Sequence, residues 1–182
     1  GDGKSSLLRV LAGRDRPHRG RLAAETARGE RVPDPTTVYF APAMRIPPDV
    51  RVGDWRRLAG AAAAVWDAGP REAAPVPAGG PPGIGPASGA DRRVGRTSTG
   101  QAKRLLLEGL LALPAQVTVL DEPFEHLAPA ARRRLARVLA RRAAGSVVVV
   151  ATHHDLPAAV APGDVLTLRR TSAGPERASD EV

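Results

Sequence analysis

Gly1-Asp2-Gly3-Lys4-Ser5-Ser6, followed at once by Leu7-Leu8-Arg9-Val10-Leu11-Ala12-Gly13, reads as a phosphate-binding turn that opens a helix. Glycines let backbone N–H groups curl around phosphate oxygens. The helix start then adds unpaired donors and the positive end of its dipole. In such a loop Lys4 reaches the β- and γ-phosphates, and Ser5 offers a hydroxyl to Mg²⁺. The complete pattern has a further glycine at a strand end, five positions before Gly3. A chain cut within this loop is therefore expected, with that glycine and its strand lying ahead of residue 1.

With 182 residues the chain is one domain's worth, long enough to bury a core. Aromatic residues make up only 3%, so the core must be built from Leu, Val and Ala. The net charge of +8 comes almost wholly from Arg, since Lys4 and Lys103 are the only lysines. A basic domain suggests an anionic partner, but stacking aromatics are too few for a single-strand nucleic-acid surface. Nucleic acid thus ranks well behind nucleotide. The absence of cysteine excludes disulfides and thiolate metal sites. His18, His126, His153 and His154 lack zinc-ligand spacing. No apolar run is long enough to cross a bilayer.

Along the chain, Ser5 to Ala12 is expected as a helix ended by Gly13, and 16–20 as a turn. Residues 21–32 suggest short strands, and Thr36 to Phe40 a β-branched and aromatic strand stopped by Pro42. Val52 to Trp66 has helical composition, whereas 69–89 is crowded with Pro and Gly and reads as a loop. Gln101 to Leu113 is predicted helical, then Val117 to Leu120 a buried strand. Pro129 to Ala144 forms an Arg-studded helix, Val147 to Ala151 a second unbroken apolar strand, and 165–168 one more. Apolar strands alternating with helices predict an α/β fold with a parallel sheet covered on both faces.

Val117-Thr118-Val119-Leu120-Asp121-Glu122-Pro123 ends such a strand in two carboxylates. Ligands bind at that carboxyl edge of a parallel sheet. Asp121 is placed to complete the Mg²⁺ shell that Ser5 begins, and Glu122 to polarise an attacking water. An acidic turn after a strand is the plainer alternative. Thr97-Ser98-Thr99-Gly100-Gln101 precedes a helix, where hydroxyls commonly serve as N-caps. The same exposed donors suit a phosphate delivered by another subunit. Val147 to Ala151 leads into Thr152-His153-His154-Asp155, from which a histidine can contact the γ-phosphate or orient the water. Spacing alone does not choose between the two histidines.

The order of these segments resembles the ATP-binding cassette (ABC) transporter ATPases, across nearly the whole chain. The resemblance implies a P-loop NTPase fold: a mostly parallel core sheet flanked by helices, with an inserted helical subdomain. It implies a core of 1–43 and 99–182 and a helical insert of 44–98 with its Pro/Gly-rich loop. Gly1, Asp2, Gly3, Lys4, Ser5 and Ser6 become the Walker A remnant, and Asp121 the Walker B aspartate. Glu122 becomes the catalytic glutamate and His153 the switch histidine. Ser98, Thr99, Gly100 and Gln101 correspond to the signature LSGGQ, which reads the γ-phosphate bound to the opposite subunit. ATP and Mg²⁺ are the implied ligands. The implied partners are a second cassette, identical or not, and a transmembrane permease that holds the domain on the cytoplasmic face of the membrane.

Several positions depart from the family pattern. Thr97 and Thr99 replace the Leu and first Gly of the signature; Ala43 stands where the family has Gln, and Ala128 where it has Asp. Two alternatives to a transport ATPase follow: a degenerate nucleotide-binding module with little hydrolysis, and a soluble cassette ATPase outside transport.

Overall fold

The computed structural model describes residues 3–26, 28–67, 90–153, 156, 160 and 163. Among them the element order is α1 (Lys4–Leu11), β1 (Ala24–Glu25), β2 (Arg31–Val32), β3 (Thr37–Phe40), α2 (Val52–Asp67), α3 (Thr99–Ala112), β4 (Val117–Asp121), α4 (Pro129–Ala143) and β5 (Val147–Ala151). A short 3-10 turn at Val94–Arg96 precedes α3. The expected loop at 69–89, the strand at 165–168, and Gly1, Asp2, His154 and Asp155 lie outside the described residues.

β3, β4 and β5 form a parallel sheet with β4 in the centre. Thr37, Val117 and Val147 are level at one end of the register; Asp121 and Ala151 are paired at the carboxyl end. β4 is buried along its whole length, Thr118 and Asp121 included, as a strand covered on both faces must be. Side chains alternate across the pleat. Val117 and Val119, with Tyr39, Val149 and Ala151, pack beneath Leu8, Leu11 and Ala12 of α1. Phe40, Leu120, Val148 and Val150 face the opposite way and join Leu105, Leu107 and Leu111 of α3 and Leu135 and Leu139 of α4. Helices therefore cover both faces of the sheet, and Asp121, on the parity of Val117 and Val119, belongs to the α1 face.

α4 starts on Pro129 at a position where its missing N–H costs nothing, and closes the second face. Arg142, in its last turn, donates from Nε to the Thr118 hydroxyl at 2.7 Å, and from its two terminal nitrogens to the carbonyls of Leu111 at 3.0 Å and Leu113 at 2.7 Å. Burial lowers the pKa of this guanidinium from its ordinary value. The residues flanking α2 are drawn together before α3 begins. Val52 and Gly53 donate to the carbonyls of Arg92 and Ala90, and Val94 and Gly95 to those of Val50 and Pro48. Trp55 of α2 then reaches α3, donating from its indole to the Leu105 carbonyl at 2.8 Å. Gly109 makes room for that ring, because a Cβ there would fall 2.7 Å from it. β1 and β2 make a separate antiparallel pair.

Candidate nucleotide site

Gly3 has φ 77, a left-handed conformation that glycine adopts without steric cost, and it is the N-cap of α1. No side chain caps this end, and the first turn carries no acidic residue. Lys4, Ser5 and Ser6 thus begin a helix whose leading N–H groups are directed out of its end. α1 starts one residue earlier than the sequence suggests, because the turn is completed at Gly3.

Ser5 Oγ donates to Asp121 Oδ2 at 2.6 Å, joining the helix start to the carboxyl end of β4. Asp121 is only 3% exposed. Tyr39 lies on the same face of the sheet; its pKa is raised by burial and, secondarily, by the Asp121 charge. A hydroxyl and a carboxylate oxygen converging at a helix N-terminus are hard donors of the kind Mg²⁺ takes. That ion normally uses one or two protein oxygens, with phosphate and water supplying the rest. The residues present therefore fit Mg²⁺. No cluster of three His, Asp or Glu that would bind a metal unaided occurs among the described residues.

Glu122 follows the strand in a left-handed conformation, φ 49. Its N–H donates to the Ala151 carbonyl at 2.9 Å, continuing the ladder to β5 by one residue. The carboxylate turns toward His153, whose Nδ1 lies 2.8 Å from Oε1. Its side chain is 12% exposed, against 54% for His153. The second oxygen, Oε2, is buried with no hydrogen-bond partner. A buried acceptor left unmade is costly in a purely structural role. Adjacent residues thus present two carboxylates with different partners: Asp121 toward α1, Glu122 toward the end of β5.

Ser98 to Gln101 form a different kind of structure. α3 begins at Thr99, two residues ahead of the expected Gln101, because Ser98 is the N-cap. Ser98 Oγ accepts from the Gln101 N–H at 3.3 Å, and Gln101 Oε1 accepts from the Ser98 N–H at 3.2 Å. This reciprocal capping box fixes the helix start. Gly100 is pressed against the β4–α4 loop, where a Cβ would come within 2.4 Å of the His126 carbonyl oxygen. Ala128, at the other end of that loop, is the N-cap of α4 and supplies no side-chain cap.

Lys103 stands out in the sequence only as one of two lysines, yet the fold brings it to the site. Its Nζ donates to the Glu122 carbonyl at 2.6 Å and lies 5.4 Å from the centre of the Phe40 ring. A lone Lys among arginines is the one available signal. Its target, a backbone carbonyl across the sheet edge, leaves no mark in the sequence.

Comparison with known proteins identifies the family of this fold. Residues 1–125 match the family model described as ABC transporter. The chain is 37% identical over 191 residues to a cytochrome c biogenesis ATP-binding export protein of Rhodospirillum rubrum, covering 98% of this chain and 75% of that protein. Against an aliphatic sulfonates import ATP-binding protein of Pseudomonas putida it is 31% identical over 178 residues, covering 92% of this chain but 59% of the relative. Among solved structures, a dimeric post-hydrolysis ATP-binding cassette bound to ADP and Pi superposes with a TM-score of 0.58 at 16% identity, covering 84% of this chain and 71% of that one. With a P-loop α/β fold and a family match over more than half its length, the chain belongs to the ABC transporter ATPases.

Proposed function

We propose that this chain binds and hydrolyses ATP to power a membrane transporter, as its nucleotide-binding subunit or domain. The observation that carries the proposal is the divided use of the two strand-end carboxylates. Asp121 is bonded to Ser5 at the helix start, while Glu122 keeps one oxygen on His153 and one unpaired.

In this reading Gly1 to Ser6 cradle the phosphates, with Lys4 on the β- and γ-phosphates and α1 directing its N-terminal donors at them. Ser5 and Asp121 hold Mg²⁺, which when bound neutralises charge on the phosphate oxygens. Glu122 accepts the proton of the attacking water on its unpaired oxygen. His153, bonded to the other oxygen, keeps the carboxylate turned toward the reacting phosphate.

Ser98, Thr99, Gly100 and Gln101, at the exposed start of α3, serve the nucleotide of a second cassette. The dimeric state of the solved cassette supports that assembly. Residues 1–43 and 99–182 act as the core and 44–98 as an insert, a division supported by the paired flanks of α2. No helix among the described residues is long and apolar enough to cross a membrane. A permease partner, holding the domain at the cytoplasmic face, supplies the path. The names of the export and import relatives support that partnership without choosing a direction.

Mg²⁺-dependent ATP hydrolysis, compared between the parent and Glu122→Gln, tests the reading. Turnover that collapses in the variant while ATP binding persists is the expected result. Equal turnover in both would overturn it. One observation favours a weakly hydrolysing module: Ser98 and Gln101 direct their hydrogen bonds at each other. Absence of turnover in both proteins, with ATP bound and a partner cassette present, would select that module.

A further inference from the structure

Glu122 holds an awkward backbone. A non-glycine residue at φ 49 is strained, and strain persists only where neighbouring structure over-determines it. Two contacts do so. On one side the Glu122 N–H is bonded to the Ala151 carbonyl at 2.9 Å. On the other its carbonyl accepts from Lys103 Nζ at 2.6 Å, and more distantly from the Glu125 N–H at 3.3 Å. The first contact belongs to the sheet. The Lys103 contact comes from a separate element, α3, and reaches Glu122 through a charged donor, the stronger class of hydrogen bond.

Lys103 is itself well held. Its ammonium lies over the Phe40 ring, within cation–π range. Glu125 and Glu122 attract it, while Arg45 and Arg132 oppose. One turn earlier on α3, Gly100 abuts the His126 carbonyl, so the helix meets the β4–α4 loop at two points. With both ends of the Glu122 peptide unit fixed, its Cα–Cβ direction is fixed too. The carboxylate can then meet His153 with one oxygen while the other stays unpaired.

We propose that Lys103 is a positioning residue for Glu122, holding its carbonyl and thereby aiming its carboxylate. The inference rests on the reading of Glu122 as the proton acceptor. Lys103 touches neither water nor phosphate in this scheme and acts only through Glu122.

The test is steady-state Mg²⁺-ATP hydrolysis by Lys103→Met, Lys103→Arg, Glu122→Gln and the Lys103→Met/Glu122→Gln pair. Lys103→Met keeps the apolar stem on Phe40 and removes the donor. It is expected to lower kcat at least ~10-fold, as small misplacements of reacting groups do. KM for ATP should stay within about 3-fold of the parent, because binding and chemistry separate in this way. Lys103→Arg, which keeps a charged donor, should recover much of the loss. The double variant should be no slower than Glu122→Gln, since both act through one carboxylate. If Lys103→Met does not fold, Lys103→Leu, which likewise has no donor, is expected to show the same loss of kcat with KM unchanged.

Parental kcat in the Lys103 variants, with Glu122→Gln inactive, would overturn the inference and leave the hydrolytic reading standing. An additive loss in the double variant, or one that only follows the fraction of folded protein, would also overturn it. Parental kcat in Glu122→Gln would instead overturn the hydrolytic reading itself.

Discussion

Ser5 and Asp121 are 116 residues apart in sequence, yet their side chains meet at 2.6 Å. The bond ties the start of α1 to the carboxyl end of the central strand. Ser5→Ala removes the hydroxyl and leaves a 3%-exposed carboxylate one donor short. The Mg²⁺ concentration for half-maximal hydrolysis should rise ~10-fold or more, as loss of groups around a metal generally causes. Folding stability should also fall, by roughly 1.5–3 kcal/mol, because the lost bond is to a buried charged group. A Mg²⁺ titration of activity beside urea unfolding separates the two effects. An unchanged Mg²⁺ requirement would remove Ser5 from the metal shell.

The Glu122–His153 pair predicts a graded response. Glu122→Gln should lower kcat by about 10²–10⁴-fold, the usual range for a lost general base. His153→Ala leaves the carboxylate in place but frees Oε1 from its 2.8 Å contact. Its loss in kcat should be smaller, with little change in KM. Single-turnover hydrolysis checks the order; a larger loss for His153→Ala than for Glu122→Gln would reverse the assigned roles.

The β-branched and apolar run Val117-Thr118-Val119-Leu120, with no charge until Asp121, announces a buried strand covered on both faces. The acid pair after it announces the sheet edge as the place for ligands. The start of α3 is legible in principle: Ser98 three residues before Gln101 is the spacing of a capping box. Gly100 argues locally for a later start, and the cap at Ser98 overrides it. The tight packing of Gly100 on the His126 carbonyl and the reach of Lys103 to Glu122 are not legible. Both depend on the β4–α4 loop folding back over α3, a contact without local periodicity. The 2.8 Å pairing of His153 with Glu122 is equally a product of register, since β4 and β5 must align before the two residues share an edge.

Gly100 and Gly60 should respond oppositely to alanine. Gly100→Ala sets a Cβ 2.4 Å from a backbone oxygen, and that oxygen is not at the end of a flexible side chain. The loop or the helix must shift, at a cost of roughly 1–3 kcal/mol. Gly60 lies within α2, where an added Cβ would meet nothing within 4 Å. Gly60→Ala should therefore stabilise by up to about 1 kcal/mol through helix propensity. Thermal unfolding of both variants checks the prediction; a neutral Gly100→Ala would show that the loop yields freely.

Arg142 joins α4 to β4 and to the end of α3 through three hydrogen bonds. Arg142→Met keeps the stem but leaves the fully buried Thr118 hydroxyl and two carbonyls unpaired. A loss of roughly 2–4 kcal/mol is expected, because unmade buried bonds cost their full desolvation. Thr118→Val should cost less, and the double variant less than the sum of the two. Additive urea-unfolding energies would mean that the bond contributes nothing to stability.

Lys103 makes stability depend on alkaline pH. Burial, acting against the attraction of Glu125 and Glu122, lowers its pKa from 10.5. Below the lowered value both folded and unfolded chains carry the proton, and the fold bears the full cost of a partly buried charge. As pH rises from there toward 10.5, the folded chain releases its proton before the unfolded chain does. The unfolded state then binds more protons, so stability contributed by this residue must increase. Lys103→Met lacks the titration, while all other groups cancel in the comparison. The unfolding free energy of the parent minus that of Lys103→Met should thus grow between about pH 8 and pH 10. Urea unfolding at both pH values provides the measurement. A difference that falls with pH would mean that the acidic neighbours outweigh burial and hold the ammonium above its ordinary range.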